Sequence, residues 1–137
     1  MTQLSPETAP PLRTDNDVDR RVADLIGRAT ANDTLWLLFV DGDDRQAPAM
    51  MPIEEVSGPP DDQWVVSLGD VLEGVLPGLV TATGVGSVVF VRERLGPDGV
   101  LPADRAWAEA LTAMCRNRGI RHRGVHLSTR RRTKRIC

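Results

Sequence analysis

The chain has 137 residues, of which 41% are hydrophobic, so it is long enough for one domain with a modest core and too short for two ordinary domains. It contains no run of 18 apolar residues, no secretory signal and only two cysteines. These features exclude a transmembrane helix, a disulfide scaffold and a Cys-rich zinc site, and they lead us to expect a soluble cytoplasmic domain. The net charge of −2 hides a strong asymmetry, because all 19 acidic residues lie in 1–109, whereas 110–137 holds nine cations and no acid.

The first predicted elements are a leader, a helix and a strand. Three prolines and few apolar residues predict that 1–14 is a disordered leader. From Asp17 onward, apolar residues recur at helical spacing, which predicts a helix over 17–30. The run TLWLLFV at 34–40 is short and nearly continuous in its apolar character, which predicts a strand that is covered on both faces.

A turn, a second strand and a second helix are predicted next. Asp41-Gly42-Asp43-Asp44 is a turn signal, and the segment 45–53 can pair back as a strand. Pro48 and Pro52 would confine that strand to a sheet edge or break it. Further along, apolar residues repeat at helical spacing and predict an amphipathic helix over 62–76.

The last predicted elements continue the alternation of strands and helices. SVVFVRE at 87–93 is the clearest strand in the chain. A helix is predicted to begin at Pro102 and to end at Gly119, because proline suits the first helical position and glycine the position after the last. The segment 120–128 alternates as a strand, and 131–136 is either a last edge strand or a tail.

Together these elements predict one three-layer α/β domain over 15–128. A mixed β-sheet is expected to be covered by helices on both of its faces. The residues 129–137 are predicted to form an Arg-rich C-terminal strand or tail.

Three candidate sites for chemistry carry weak signals. Asp41 and Asp43 follow an apolar strand, as in phosphotransferases of the haloacid-dehalogenase type, but the chain is short for that fold and a plain turn is favoured. His122 and His126 would share a face of a strand at a separation of about 13 Å, which is too far for one metal ion. Cys115 lies on the apolar stripe of its helix, which indicates a buried, inert thiol. We therefore expect no catalytic residue, metal or cofactor.

The C-terminal segment carries a cluster of cations that can contact phosphates or an acidic surface. Its members are Arg130, Arg131, Arg132, Lys134 and Arg135. Aromatic residues that would stack on bases are absent from the nearby sequence, so base-reading recognition of single strands is not expected. Non-specific phosphate contact and docking onto the acidic part of the same protein both stay open.

The order of short motifs between 87 and 128 is also informative. The strand SVVFV leads into RERLGP at 92–97, a helix opens with Pro-Ala-Asp at 102–104, and Gly-Ile at 119–120 precedes Gly-Val-His-Leu at 124–127. This order resembles the metal-binding core of the JAB/MPN superfamily, in particular its bacterial RadC-like branch. The resemblance implies a strand, a helix and a second strand arranged around a zinc site, and the earlier helix and strand also fit that plan.

The chain differs from that family at the residues that bind the metal. In the family, two histidines and an aspartate hold a zinc ion whose water is activated by a glutamate. The histidine positions here are Arg92 and Arg94, the aspartate position is Ala106, and the family's serine position is Ala103. A guanidinium stays protonated and cannot ligate zinc. The resemblance therefore implies a scaffold without its metal, in which Arg92 and Arg94 become candidate binding residues.

These observations predict a non-enzymatic α/β binding or assembly domain, similar in fold to a metal-free RadC-like protein. Its partner would be another protein or a second copy of the chain. The alternative is a small nucleic-acid-associated protein that uses the Arg-rich C-terminus, with weak binding. No membrane partner is expected.

Overall fold

The computed structural model describes residues 9–137, which form one five-stranded mixed β-sheet with helices on both faces. The strand order is β2-β1-β3-β4-β5; β3 and β4 run parallel, and the other neighbours are antiparallel. This arrangement confirms the predicted three-layer α/β domain. The elements are α1 (Asp15–Leu25), β1 (Thr34–Val40), β2 (Gln46–Ile53), α2 (Asp62–Val75), a 3₁₀ turn (Leu76–Leu79), β3 (Ser87–Glu93), α3 (Pro102–Arg118), β4 (His122–Ser128) and β5 (Thr133–Arg135).

The two central strands β1 and β3 are mostly apolar and almost wholly buried, because both of their faces are covered. Side chains of a strand alternate between the faces of a sheet. In β1, Leu37 and Phe39 pack into the cluster beneath α2 and α3, whereas Leu38 and Val40 pack into the cluster beneath α1. The predicted strands 34–40 and 87–93 therefore match β1 and β3 residue for residue.

The ends of α1 differ from the predicted range of 17–30. The helix begins two residues earlier because the Thr14 hydroxyl accepts a hydrogen bond from the Asp17 amide, and the Asp17 carboxylate accepts one from the Thr14 amide. It ends at Leu25, five residues early, because Gly27 adopts a left-handed conformation with φ of 63°.

The segment 9–14 is part of the fold, which corrects the prediction of a disordered leader over 1–14. Leu12 is 2% exposed and packs beneath α1. Its amide donates to the Asp44 carbonyl at 2.6 Å, and its carbonyl accepts from the buried guanidinium of Arg123. The rest of the predicted leader, 1–8, lies outside the described residues.

The sheet has an edge strand at each side. β2 lies at one edge, as its two prolines predict, and β5 pairs with β4 at the other. Of the two alternatives for the C-terminal segment, the structure therefore contains the strand. Among residues 9–137, no helix is long and apolar enough to cross a membrane.

Candidate functional site

The two arginines at the end of β3 meet one carboxylate at the start of α3. The Arg92 Nε donates to Asp104 Oδ1 at 2.9 Å, while Arg94 donates from Nε to Oδ1 at 2.9 Å and from Nη2 to Oδ2 at 2.7 Å. Both arginine side chains are 4% exposed and the aspartate side chain is fully buried. The three residues form what we call the Arg-Asp-Arg triad.

The remaining donors of the triad are bonded to backbone groups, except that Arg92 Nη2 lies 3.8 Å from the Asp33 carboxylate. Arg92 donates to the Val56 carbonyl, and Arg94 donates to the carbonyls of Pro97 and Gly99. Asp104 accepts from the Leu101 amide at 2.8 Å, which also caps α3. Burial alone would raise the pKa of Asp104, but hydrogen bonds from Arg94, Leu101 and Arg92 hold that pKa below its usual value.

The triad therefore ties together three segments of the fold. It joins the end of β3, the loop that follows it and the first turn of α3. Because Arg92 and Arg94 are buried and bonded within the protein, few of their hydrogen-bond donors are accessible to an external ligand. Their binding role stays a prediction from the sequence, and the function proposed below does not rest on it.

The histidines of β4 do not form a pair. A bulge near Gly124 inserts one extra residue between the two histidines, because Val88 pairs with His122 and Phe90 with Val125. The expectation that His122 and His126 share a face is therefore wrong. Within the described part of the chain, no group of three His, Cys, Asp or Glu side chains is placed to hold a metal ion.

His126 fastens α1 to the sheet. Its Nε2 donates to Asp19 Oδ1 at 2.8 Å, and the same carboxylate accepts from the Arg135 guanidinium. The histidine is 1% exposed. Burial, together with the nearby charge of Arg135, lowers the pKa of His126, although the Asp19 carboxylate acts in the opposite direction.

The other candidates for chemistry have structural surroundings. Burial raises the pKa of the Cys115 thiol to about 11, so the reactive thiolate is scarce at neutral pH. Asp41 accepts hydrogen bonds from the amides of Asp43 and Arg45, and Asp43 accepts one from the Thr81 hydroxyl. The two aspartates are thus part of the turn that the sequence favours.

The cationic cluster of the C-terminus is divided by its contacts. Lys134 donates to the Asp98 carbonyl at 2.7 Å, Arg132 lies 3.6 Å from the Asp98 carboxylate, and Arg135 is bonded to α1 as described. The side chains of Arg130 and Arg131 form no hydrogen bond or salt bridge with any described residue. Three of the five cations therefore contact the protein itself, and two lie on the β4–β5 turn.

An open groove of about 480 Å³ lies between the edge strand β2 and helix α2. We call it the β2–α2 groove. Its lining is mostly apolar, and Trp64 packs edge-on against the buried Trp107 at a centroid distance of 5.0 Å. Val71 on the groove wall is 44% exposed. The lining residues are Met51, Ile53, Asp61, Gln63, Trp64, Ser67, Leu68 and Val71.

The segment that contains β2 and α2 carries only negative charges. Residues 46–79 contain six acidic residues and no Arg, Lys or His. Arg118, from α3, reaches over Gly69 and pairs with Asp70 and Glu73 at 2.9 and 3.3 Å. The other four acids of the segment form no salt bridge with any residue in 9–137; they are Glu54, Glu55, Asp61 and Asp62.

Sequence reasoning predicted the helix but missed the groove. A signal for it exists in α2, where the apolar stripe that includes Trp64 and Val71 is wider than the buried face of the helix requires. The groove itself also needs the adjacency of β2 and α2, which are separated in sequence by a loop.

A scan of protein-family models, a search of curated proteins and a search of solved structures each find no match to this chain.

Proposed function

We propose that this chain is a non-catalytic α/β binding domain that docks a protein partner in the β2–α2 groove. The observation that carries the proposal is an apolar groove beside a free sheet edge. Within residues 9–137, no strand pairs with the outer side of β2, and nothing covers Trp64 or Val71 on the groove side. Apolar concave surfaces that reach a free edge are typical of protein interaction sites.

The surroundings of the reactive side chains support a non-catalytic role. A nucleophile needs a base within hydrogen-bonding reach, and a general acid needs access to substrate. The Cys115 thiol is buried with a raised pKa, and the buried His126 is bonded to Asp19. Asp104, the carboxylate at the start of α3, is held by two guanidinium groups and is fully buried.

We also propose that the fold is RadC-like and has lost its zinc. Two arginines two positions apart, at and just beyond a strand end, converge with an aspartate of the next helix, and β4 follows parallel to β3. This convergence supports the resemblance drawn from the motifs, with one change. The helix residue that faces the strand end is Asp104, two positions before Ala106. A cytoplasmic location belongs to the same proposal.

Nucleic acid is the weaker candidate. Three of the five cations in the C-terminal cluster contact carboxylates or carbonyls of the chain, which leaves Arg130 and Arg131 for phosphates. Two exposed arginines provide only weak electrostatic attraction, and the acidic residues of 1–109 oppose it.

A photo-crosslinking experiment tests the proposed function. A photoreactive amino acid replaces Val71 in the groove or, as the matched control, Val85 in the loop before β3. The two valines are similarly exposed, at 44% and 56%, and Val85 does not line the groove. Irradiation is carried out in cells that express the full chain at its native level.

We expect a discrete crosslinked protein from position 71 that is absent from position 85. Crosslinks of equal pattern and yield from both positions would contradict a specific docking groove. A crosslink that contains only a second copy of the chain would show that the groove binds another copy of the chain and not a different protein.

A further inference from the structure

We infer that the β2–α2 groove receives a basic amphipathic helix from a different protein. This inference rests on the proposed function and adds the chemistry of the partner. It follows from the charge of the groove segment, the character of the β2 edge and the surfaces that a second copy could offer.

The negative charge of the groove segment favours a positively charged partner. The groove segment 46–79 holds six acids and no cation, and only Arg118 compensates it locally. Asp61 lies on the groove wall itself, and Asp62 follows it at the exposed start of α2. Complementary potentials steer association and exclude partners of like charge. A partner with Lys or Arg around its apolar contact is therefore favoured over an acidic one.

The edge strand selects a helix over an added strand. An incoming strand pairs with the outward N–H and C=O groups of an edge strand. Proline has no N–H and is tolerated in an edge strand where that group would face solvent. Pro48 and Pro52 therefore remove donors from the free side of β2, so the backbone there is a poor template for another strand. An amphipathic helix needs only the apolar wall formed by Trp64, Leu68 and Val71.

A second copy of this chain is a poor occupant. A two-fold dimer through this face would place one acidic groove segment against another, because such an interface uses the same patch twice. The cationic β4–β5 turn of a second copy has the right charge, but the run at 129–135 is Thr-Arg-Arg-Arg-Thr-Lys-Arg and contains no apolar residue to fill the groove.

A peptide series tests the inference with the full chain. The probe is a dye-labelled helical peptide of about 16 residues, with leucine at i, i+3, i+4 and i+7 and lysine on the other face. One control peptide replaces the leucines by alanine and keeps the charge, and a second replaces the lysines by glutamate and keeps the apolar face. Binding to the wild type, to Val71→Lys and to Val85→Lys is followed by fluorescence anisotropy. The two variants each add one positive charge, so they differ only in where that charge lies.

We expect the leucine–lysine peptide to bind at least about tenfold more tightly than either control peptide. Val71→Lys should weaken that binding by about tenfold or more, whereas Val85→Lys should change it by less than about twofold. The circular dichroism melt of each variant checks that its fold is intact, because both valines are exposed.

The remaining outcomes separate the two proposals. Equal affinity for the lysine and glutamate peptides, lost in Val71→Lys, would overturn the basic preference and leave the docking groove standing. Equal weakening by Val71→Lys and Val85→Lys would overturn the groove as the binding site and, with it, this inference. Binding of the alanine–lysine peptide as tightly as the leucine peptide would reduce the interaction to charge alone and would also overturn it.

Discussion

The guanidinium of Arg94 lies against both oxygens of the Asp104 carboxylate, with Nε 2.9 Å from Oδ1 and Nη2 2.7 Å from Oδ2. Arg92, two positions earlier and inside β3, donates to the same carboxylate. One buried carboxylate therefore binds two buried guanidinium groups at the junction of β3, its loop and α3, and only Arg92 has a second acid within reach, Asp33 at 3.8 Å. Such a cluster costs desolvation energy to form, and the loss of its shared partner is more costly still.

We predict that Asp104→Asn lowers the free energy of unfolding by about 3–5 kcal/mol, because it leaves the buried Arg94 without a counter-charge and the buried Arg92 with only Asp33, at 3.8 Å. Urea denaturation at pH 7 measures the change. The matched control is Asp62→Asn, which neutralises an exposed aspartate in the first turn of α2 and should cost less than about 1 kcal/mol. Similar small losses for both variants would show that the triad is not a structural element.

Stability should fall as the pH is lowered from 7.5 to 5. Burial lowers the folded-state pKa of both His122 and His126, so the unfolded chain binds more protons in this range. Each histidine's contribution to the free energy of unfolding is fully present above its unfolded-state pKa near 6.5. It is lost as the pH falls towards the lower pKa of the folded state. For each histidine, the free energy of unfolding changes by at most about 1.4 kcal/mol per pH unit.

Urea denaturation at several pH values measures this slope for the wild type and for His126→Gln. The variant should show a shallower decline, because one of the two titrating groups is gone. His122→Gln is the matched comparison within β4. A decline that is identical in the wild type and both variants would assign the pH dependence to other groups.

Parts of the fold could be predicted from the sequence because local patterns dictate them. The apolar runs of β1 and β3 and the proline and glycine at the ends of α3 are examples. The early end of α1 could not be predicted, because apolar residues continue at helical spacing beyond the left-handed Gly27. The bulge near Gly124 depends on the pairing of β4 with β3, which no local pattern reveals.

The surroundings of the charged residues were the hardest part to predict. Charged side chains are ordinarily exposed, yet Arg92, Glu93 and Arg94 are all buried at the end of β3. The Glu93 carboxylate accepts from the indole of Trp36 and the amide of Thr30, which come from other segments. Burial of such groups depends on partners distant in sequence, and a single sequence does not identify those partners.

The purified protein should hold no stoichiometric zinc. Arginine occupies the two positions where the RadC-like resemblance implies histidine ligands, and the described residues offer no alternative group of three ligands. Elemental analysis after dialysis measures the metal content, with blanks of the zinc-free dialysis buffer as the control. About one tightly held zinc ion per chain would contradict the proposal of a metal-free domain.

Duplex DNA should bind weakly and without sequence preference. In the cationic cluster, only the side chains of Arg130 and Arg131 form no hydrogen bond or salt bridge within residues 9–137, so we expect a dissociation constant no tighter than about 1–100 µM at physiological salt. Fluorescence anisotropy with two duplexes of different sequence, at low and physiological salt, measures it. The variant Arg130→Ser/Arg131→Ser should lose the remaining affinity. Sequence-specific binding that survives physiological salt would favour the nucleic-acid alternative.

We propose that the β2–α2 groove is the partner-binding face and that its occupant is basic and helical. The most direct measurement is competition for the crosslink formed at position 71, with the leucine–lysine peptide added before irradiation of a cell extract. We predict that the crosslink yield falls by at least about half once the peptide exceeds its own dissociation constant, while the glutamate peptide leaves it unchanged. An undiminished yield at about ten times that concentration would contradict the claim.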